Sequence, residues 1–363
     1  MTKDLRTYLD ARTQEMVAEL RRLVELESPT QDKAAVDALG TAIATRAQAL
    51  GATVTLHEQA RRGNHVLARW NAAAPGKQIL ILCHMDTVWP LGTLAERPVR
   101  VEEGRFYGPG SYDMKAGIVV TLAALGALQA LNLHPPRPIT ALFTSDEEVG
   151  SQTSRALIED QARRSALVLV LEPCLRDGSL KTSRKGTGGF VVTARGVAAH
   201  AGGSHDEGVN AIEELAHQII EIQGMTDYAR GTTVNVGRVE GGLRTNVVPD
   251  QAQAWIDLRV ATPQEGQRML EKLFSLTPKL PGASVHVRGK LSRPPMPRDE
   301  LMAQTFARAA SIAAEIGLTL TEKGTGGASD GNLCAALGVP TLDGLGPVGA
   351  GAHALHEHVV VRD

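Results

Sequence analysis

The strongest constraint on the fold is a set of apolar runs that end in side chains able to bind a cation. Residues 79–83 form an unbroken apolar run followed by His84 and Asp86, and residues 139–144 and 166–171 predict two further buried strands. Apolar runs without polar alternation are typical of strands buried on both faces of a sheet. Because open α/β sheets place their sites beyond the carboxyl ends of the strands, we expect the side chains that follow these runs to meet at one edge.

The pair His84 and Asp86 is suited to metal binding. Successive side chains of a strand point to opposite faces, so both residues should point the same way, whereas Cys83 should face away and serve in packing. A metal-binding imidazole commonly needs a carboxylate to fix its tautomer. Taken alone, the pair is explained more simply by a hydrogen-bonded structural histidine.

Further carboxylates and a histidine follow other predicted elements. Asp113 stands in a turn-rich loop that leads into an apolar helix, where the alternative role is an N-cap. Residues 146–148 are consecutive carboxylates after a buried strand, and they repel one another unless water or a cation compensates. Glu172 follows the third strand, and His353 lies near the C-terminus. Each has a structural explanation by itself, but their recurrence at strand ends favours a metal site.

These residues lie in motifs that recur in one enzyme family. The motifs are residues 84–87, 110–117, 146–151, 171–173 and 199–202, together with His353. In this order the chain resembles the M20 family of co-catalytic zinc peptidases and amidohydrolases, and within it the glutamate carboxypeptidases of the carboxypeptidase G2 type. Chains of the family commonly continue past the last motif through another helix, whereas this sequence stops at residue 363. We expect weaker packing beneath His353 from this difference, and no lost ligand.

The resemblance implies a centre of two Zn²⁺ ions per chain. Asp113 would bridge the ions, with His84 and Glu172 completing one site and Glu148 and His353 completing the other. Imidazole and carboxylate ligands without a thiolate suit Zn²⁺, with Mn²⁺ or Co²⁺ as substitutes. Two such ions about 3.5–4 Å apart can activate a shared water and polarise a scissile carbonyl.

The resemblance also implies catalytic roles for two carboxylates that are not ligands. Asp86 matches the acid behind the first histidine, and Glu147 matches the general base. Glu147 would take a proton from the attacking water and deliver it to the leaving amine. A homologue that only bound metal or a peptide-like ligand would not need such a base, so Glu147 favours an enzyme over a binding protein.

Three histidines near the C-terminus compete for the last ligand position. In the family the ligand histidine is followed four residues later by Glu, then usually by an aromatic residue and Val. His353 meets this spacing through Glu357 and Val359, whereas His356 and His358 fall on variable positions. We therefore expect His353 to be the ligand and the other two histidines to be surface or supporting residues.

The order of predicted elements indicates one domain inserted into another. Residues 3–50 predict two helices, strands and helices then alternate, and residues 187–293 predict the β-α-β-β-α-β order of a ferredoxin-like unit. At 363 residues the chain is long enough for two cores. The predicted fold class is α/β, with a mixed-sheet zinc-peptidase catalytic domain formed by residues 1–186 and 294–363. By the resemblance, the inserted residues 187–293 serve as lid and dimerisation domain.

The resemblance places substrate-binding residues mainly in the insert. His200 matches a histidine that polarises the substrate carbonyl, often in the partner's site, and a structural turn histidine is the alternative. Asn246 and Arg259 match positions that bind a substrate carboxylate, and Arg293 matches a further arginine less closely. Gly327 belongs to a glycine loop whose backbone contacts substrate in the family. That loop lacks the Gly-Lys-Ser/Thr ending of a phosphate-binding loop.

Composition argues against several other classes of protein. The net charge of −2 gives no electrostatic reason to expect nucleic acid or a membrane surface as a partner. The first residues contain no apolar segment, so we expect no secretory signal, and residues 118–131 are too short to span a bilayer and predict a core helix. Three cysteines cannot form a disulfide framework and suit a reducing cytoplasm.

The motifs and the family resemblance that they carry imply a di-zinc hydrolase of amide bonds. The expected reaction releases a C-terminal amino acid, glutamate or similar, from a small peptide or N-acyl amino acid. By the resemblance, Arg259 binds the free carboxylate of that amino acid through two hydrogen bonds. An N-acyl-amino-acid deacylase or a dipeptidase of the same family is the alternative. The resemblance further implies a homodimer through the inserted domain, and we expect the enzyme in the cytoplasm.

Overall fold

The structure, a computed structural model, describes residues 2–361 and divides into two compact units. The first unit comprises the residues up to 183, residues 298–325 and those from 329 onward; the second comprises residues 184–297 and 326–328. The assignment of residues 187–293 as a lid and dimerisation domain stays a prediction. The expectation about the end of the chain falls partly on residues 362 and 363, which lie outside the described residues.

The helices and strands are numbered in chain order. The helices are α1 (Thr2–Asp10), α2 (Thr13–Val24), α3 (Lys33–Ala49), α4 (Thr93–Glu96), α5 (Ala116–Ala130), α6 (Arg155–Arg163), α7 (Ala211–Gln223), α8 (Pro263–Phe274), α9 (Glu300–Glu315) and α10 (Gly331–Ala335). The strands are β1 (Thr53–His57), β2 (His65–Trp70), β3 (Gln78–His84), β4 (Arg100–Glu102), β5 (Arg105–Tyr107), β6 (Ile139–Thr144), β7 (Ser165–Val170), β8 (Leu180–Arg184), β9 (Gly186–Arg195), β10 (Ala199–His200), β11 (Thr233–Gly241), β12 (Val247–Val248), β13 (Gln251–Val260), β14 (Ser284–Arg293), β15 (Glu322–Thr325), β16 (Thr341–Asp343), β17 (Gly349–Ala350) and β18 (His358–Val360).

The large sheet is mixed, as predicted, and has parallel strands at its centre. Its strand order is β1-β2-β6-β3-β7-β16-β8-β15. β3 runs parallel to both β6 and β7, whereas β2 runs antiparallel to β6. The carboxyl ends of β3, β6 and β7 therefore lie at one edge of the sheet, where α/β proteins place their sites.

Both faces of this sheet are buried, which explains the apolar runs. Ile81 and Cys83 of β3 pack into one cluster with residues of α2, α3 and α5, whereas Leu80 and Leu82 pack into another with residues of α6 and α10. Burial of a large side chain of this kind contributes about 1.5–3 kcal/mol. Cys83 is thus a packing residue, and its Sγ lies 3.4 Å from the Thr121 hydroxyl oxygen.

The prediction of two helices over residues 3–50 is wrong. Three helices, α1, α2 and α3, occupy this stretch, and α1 ends at Asp10. The Thr13 hydroxyl donates to the Asp10 carbonyl oxygen at 3.0 Å. Such a local side-chain bond competes with continuation of a helix, and the periodicity of apolar residues does not reveal it.

One stretch of the described residues, 111–130, is long and apolar enough to cross a membrane, by length and composition alone. More than half of it is buried inside the protein. Ile118, Val119 and Leu122 of this stretch pack in the same cluster as Ile81 of the sheet. The stretch is therefore a core helix, as the sequence predicts.

The second unit contains the predicted β-α-β-β-α-β order. β9, α7, β11, β13, α8 and β14 follow one another, with the short strands β10 and β12 between them. The four long strands pair antiparallel in the order β11-β13-β9-β14. Leu215 of α7 and Met269 of α8 pack with Val192 and Ile256 of the sheet, so this unit has a core of its own.

Candidate metal centre

The five side chains predicted as metal ligands lie together in the first unit. His84 is the last residue of β3, Glu148 lies in the turn after β6, and Glu172 follows β7. Asp113 lies in the loop before α5, and His353 lies in the connection between β17 and β18. Three parallel strand ends and two loops therefore contribute to one group of side chains.

Asp113 joins these side chains into two groups of three. His84 Nε2 lies 3.1 Å from Asp113 Oδ1 and 3.6 Å from Glu172 Oε1. His353 Nε2 lies 3.4 Å from Asp113 Oδ2 and 3.1 Å from Glu148 Oε2. Within each group the ligand atoms all lie within 4.8 Å of one another. Each oxygen of Asp113 thus faces a different group, which is what a bridging ligand requires.

The concentration of charge shifts the pKa values of these groups. Burial opposes ionisation of Asp113, but hydrogen bonds from His353 and His84 hold its pKa well below the usual range. Burial opposes protonation of His84, yet hydrogen bonds to Asp113 and Asp86 raise its pKa well above the usual value. Hydrogen bonds to Asp113 and Glu148 raise the pKa of His353 to about 10. The centre therefore favours positive charge, whether from protons or from metal ions.

Two further features fit a metal centre. Glu148 Oε1 is buried and has no hydrogen-bond partner among the described residues, a state that is costly for a carboxylate oxygen and that a cation would relieve. His353 has a left-handed backbone conformation, with φ of 61°. Such conformations cost on the order of 1–3 kcal/mol and cluster at functional sites. Together with nitrogen and oxygen donors suited to Zn²⁺, these features fit the group that the resemblance implies.

Asp86 anchors the turn that carries Glu147 and Glu148. Its buried carboxylate accepts hydrogen bonds from the backbone N–H groups of both residues, each at 3.2 Å, and from the Thr30 hydroxyl at 2.8 Å. His84 Nδ1 lies 2.9 Å from the Asp86 carbonyl oxygen and 3.5 Å from its carboxylate. The backbone carbonyl therefore orients the imidazole more closely than the carboxylate does, and the carboxylate mainly holds the turn.

The consecutive carboxylates 146–148 have different surroundings. Asp146 is buried and accepts hydrogen bonds from the hydroxyls of Thr153 (2.8 Å) and Ser154 (2.6 Å). Glu148 belongs to one ligand group, whereas Glu147 belongs to neither. Hydroxyl donors thus compensate the first carboxylate, and only the third is suited to a cation.

Glu357 supports the site in a way that its sequence position, four residues after His353, does not predict. Its buried carboxylate accepts hydrogen bonds from the backbone N–H groups of Gly110 (2.8 Å), Tyr112 (3.0 Å) and Asp113 (3.1 Å), and from Trp89 Nε1 (2.8 Å). Burial raises the pKa of Glu357 to about 7, and these donors oppose the shift. Glu357 therefore fixes the loop that presents Asp113. Its position four residues after His353, which matches the spacing of the family motif, was the available signal.

Asp113 does not cap the helix that follows it. α5 begins at Ala116, and Asp113 lies in a tight turn before it without capping the helix through its side chain. The buried Lys115 donates instead to the carbonyl oxygens of Leu23 (3.0 Å) and Leu26 (2.7 Å), and burial lowers its pKa to about 7. Lys115 thus ties the start of α5 to the end of α2, and Asp113 is left to face the centre.

The second unit brings His200 and Asn246 together. β10 pairs with β12, and Ala201 N donates to the Asn246 carbonyl oxygen at 3.0 Å. Nδ1 of the exposed His200 accepts hydrogen bonds from the N–H groups of Gly202 and Gly203, at 3.1 and 3.0 Å. In the neutral ring the proton therefore resides on Nε2, which makes Nε2 a donor.

The other predicted substrate residues have partners of their own. Arg259 Nε and Nη2 donate to Asp257 Oδ1 (2.7 Å) and Oδ2 (3.0 Å), because residues two apart on β13 share a face. Arg293 is buried at the end of β14. The Gly327 carbonyl oxygen accepts from Arg184 Nη1 at 3.2 Å, and residues 326–328 group with the second unit. The roles of these residues stay predictions.

A mixed α/β sheet whose strand ends bring imidazole and carboxylate side chains into two groups is the arrangement expected of a metal-dependent hydrolase. The amino-acid sequence assigns the chain to one family within this class. Residues 80–363 match the profile of Peptidase family M20/M25/M40. The chain belongs to this family of metallopeptidases and amidohydrolases, and it is a hydrolytic enzyme.

Individual relatives agree with this assignment. Carboxypeptidase G2 of Pseudomonas sp. (strain RS-16) is 32% identical over 345 residues, which cover 93% of this chain and 83% of the relative. A succinyl-diaminopimelate desuccinylase of Ectopseudomonas mendocina is 30% identical over 78% of this chain and 79% of its own length.

Solved structures share the fold. Aminopeptidase PepT from Bacillus cereus superposes with a TM-score of 0.79 at 24% identity, covering 96% of this chain and 94% of the other. An M20 family metallo-carboxypeptidase from Sulfolobus solfataricus superposes with a TM-score of 0.72 at 18% identity, covering 96% and 95%. The predicted α/β class with a large mixed sheet is thereby confirmed.

Proposed function

We propose that this enzyme is a di-zinc hydrolase that cleaves an amide bond and releases a C-terminal amino acid, glutamate or a similar residue. The observation that carries the proposal is the pair of ligand groups that share Asp113, with Glu147 adjacent in sequence to the ligand Glu148 but outside both groups. A carboxylate base beside a bridged pair of metal ions is the combination that amide hydrolysis by an activated water needs.

The proposed metal is Zn²⁺, with Mn²⁺ or Co²⁺ as substitutes that the same ligands accept. His84 and Glu172 would hold one ion, Glu148 and His353 the other, and Asp113 both. When bound, the ions supply Lewis-acid chemistry, namely a lower pKa for a shared water and polarisation of the scissile carbonyl.

Glu147 is the proposed general base, and Asp86 is the residue that positions it. The Asp86 carboxylate holds the backbone N–H groups of Glu147 and Glu148, each at 3.2 Å, so base and ligand keep a fixed relation. Glu147 takes a proton from the attacking water and delivers it to the leaving nitrogen, which then departs as a neutral amine. Proton transfer of this kind typically contributes about 10²–10⁴-fold to the rate.

The leaving amino acid is proposed to bind through its carboxylate to Arg259 and Asn246. Asp257 occupies the Nε–Nη2 edge of the Arg259 guanidinium, and the Nη1–Nη2 edge offers a second pair of parallel donors. His200 Nε2, a donor in the neutral ring, suits the substrate carbonyl oxygen. Arg293 and the backbone at Gly327 complete the proposed substrate contacts by the family resemblance.

An N-acyl-amino-acid deacylase or a dipeptidase of the same family is the second candidate. The similarity to a succinyl-diaminopimelate desuccinylase favours a deacylase, since that relative is named for the acyl group it removes. A homodimer through the second unit and a cytoplasmic location complete the proposal. The location is supported by Cys83, Cys174 and Cys334, which are buried and form no disulfide among the described residues.

The zinc-loaded enzyme, assayed with N-acyl glutamates and with the same compounds amidated at the α-carboxylate, tests the proposal. We expect kcat/KM to be about 10²-fold higher for the free acids, because amidation removes the carboxylate that would pair with the Nη1–Nη2 edge of Arg259, and about 1.4 kcal/mol corresponds to tenfold. Arg259→Ala should abolish this preference and leave the metal content unchanged. Arg238→Ala, at an exposed arginine of the same sheet, is the matched control.

Equal rates for the free acids and the amides would reject the carboxypeptidase proposal and favour a broader amidase. A series of substrates that differ only in the C-terminal residue then separates glutamate release from general deacylation. A marked preference for glutamate supports the first candidate, and similar rates for many residues support the second.

A further inference from the structure

A cavity of about 540 Å³ adjoins the candidate metal centre within the first unit. Glu148, a ligand in the proposed centre, forms part of its wall, as do Thr30 and Thr87. Thr30 donates to the Asp86 carboxylate at 2.8 Å, so the wall is continuous with the residues that hold the proposed base. The cavity has the size of small-molecule pockets, which span about 300–1,000 Å³.

Most of the wall is apolar. Pro29, Val88, Pro90, Leu91 and Val149 line the cavity. Val88 and Leu91 are 43% and 53% exposed, although both carry large apolar side chains. Apolar side chains that are grouped and left in contact with water beside a reactive centre indicate a surface that a ligand covers.

The charged side chains in the wall are acidic. Asp32 and Glu148 line the cavity, and no lysine or arginine is among its described lining residues. Asp32 is held in place because it caps α3, accepting from Ala35 N at 2.9 Å. Bound metal would neutralise Glu148, and Asp32 would remain. The Arg62 guanidinium contacts the wall, but its Nη1 already donates to the Gln31 side chain and to the Thr30 carbonyl oxygen. A substrate carboxylate in this cavity would therefore face the negative charge of Asp32.

We infer that this cavity, which we call the acyl pocket, binds an uncharged apolar group on the carbonyl side of the scissile amide. The inference rests on the proposed function and narrows its substrate class. The proposed carboxylate-binding residues, Arg259 and Asn246, belong to the second unit, whereas the acyl pocket is lined by the first unit alone. The preferred substrates are amino acids that carry an apolar N-acyl group, or peptides with an apolar residue before the cleaved bond.

A series of N-acyl glutamates that differ only in the acyl group tests the acyl pocket in the zinc-loaded enzyme. From acetyl to butanoyl to hexanoyl, kcat/KM should rise about three- to fourfold for each added methylene, the effect of burying one CH₂ group. Succinyl has the carbon count of butanoyl but ends in a carboxylate. Its kcat/KM should lie about tenfold or more below that of butanoyl.

Two variants test whether the side chains that line the acyl pocket cause the preference for apolar acyl groups. Leu91→Ala should lower kcat/KM for the hexanoyl substrate about fivefold or more and leave the acetyl substrate nearly unchanged, since only the longer chain reaches the lost side chain. Leu56→Ala, at an exposed leucine of β1 outside the acyl pocket, is its control. Asp32→Asn keeps a capping oxygen but removes the charge, so it should raise the ratio of kcat/KM for succinyl to kcat/KM for butanoyl several-fold.

The outcomes separate this inference from the proposed function. A wild-type enzyme that hydrolyses acyl glutamates with equal kcat/KM for acetyl, butanoyl and hexanoyl, or that prefers succinyl, overturns the acyl pocket and leaves amide hydrolysis standing. A metal-loaded enzyme that hydrolyses none of the series overturns the proposed function, and the acyl pocket with it. A kcat/KM that rises with acyl chain length in the wild type and in Leu56→Ala, but not in Leu91→Ala, supports both the acyl pocket and the proposed function.

Discussion

At the scale of single residues, Asp113 is the side chain on which both proposed metal sites depend, because it belongs to both ligand groups. Asp113→Ala should reduce bound metal well below about two ions per chain, as expected for a site of two metals. Elemental analysis of the purified variant measures this. Asp160→Ala, at a half-exposed acid paired with Arg164, should keep the wild-type metal content. Two tightly held ions in Asp113→Ala would show that Asp113 is not the bridge.

Substitution of Glu147 should affect the rate and not the metal content, since Glu147 lies outside both ligand groups. Glu147→Gln keeps the size and polarity of the side chain but cannot accept a proton as a carboxylate does. We expect unchanged metal content and a fall in kcat of about 10²–10⁴-fold. Steady-state kinetics with metal analysis on the same sample checks both. Near-normal kcat with full metal content would assign the base to another residue.

At the scale of elements, two loops present proposed metal ligands, and each loop is held by a buried carboxylate from another part of the chain. Asp86 binds the backbone of the turn that carries Glu147 and Glu148, and Glu357 binds the backbone of the loop that carries Asp113. Loops leave backbone N–H groups without partners in a helix or sheet, so acceptors must come from other parts of the chain. The rigidity of the centre therefore depends on these acceptors as much as on the ligands.

The start of α8 provides a test of a structural carboxylate in the second unit. Glu265 is buried and accepts hydrogen bonds from Arg268 Nη2 (2.6 Å), the Thr232 hydroxyl (2.7 Å) and Arg230 Nη1 (3.3 Å). The hydrogen bond from Arg268 leads the interactions that lower the pKa of Glu265 to about 2, against the effect of burial. Because the folded-state pKa is depressed, its stabilisation is present above the ordinary value of about 4.3 and is lost as pH falls toward 2.

Glu265→Gln should therefore lower the free energy of unfolding at pH 7 by about 1–2 kcal/mol, a figure that allows for the partial exposure of the arginines. The difference from wild type should shrink as the pH falls from about 4.3 toward 2. Denaturant unfolding at several pH values measures it. Glu271→Gln, at a residue bonded to Gln267 on the exposed side of α8, should show little difference at any pH. A Glu265→Gln effect that does not change with pH would contradict this account.

At the scale of the whole molecule, the proposed ligands come from residues 84 to 353, so metal binding joins distant parts of the chain. An ion that binds only the folded state stabilises it, by about 2.7 kcal/mol at a free concentration of 100 times Kd. Chelation should accordingly lower the melting temperature by several degrees, and added zinc should restore it. Calorimetry with and without chelator measures the shift. Asp113→Ala should melt at one temperature under both conditions, and a wild-type melting temperature that ignores metal loss would contradict the coupling.

The sequence by itself determined those features that depend on local pattern. Apolar runs report burial on both faces of a sheet, and the alternation of side chains along β3 places Cys83 in the core and His84 on the other side. The ends of these runs, together with the family motifs, indicate the α/β class and the candidate ligands. The order of elements in residues 187–293 likewise follows from periodicity, because each strand and helix buries one face of its own.

Only the tertiary structure decided which distant groups meet. Glu357 reaches the N–H groups before α5, Asp86 holds a turn rather than mainly an imidazole, and Asp257 pairs with Arg259. The acyl pocket combines Pro29 with Val149, which no local pattern relates. Hydrogen-bond acceptors and cavity walls are chosen among all side chains that folding brings near, irrespective of their separation along the chain. A periodicity reports which face of an element is buried, but it cannot report what lies against that face.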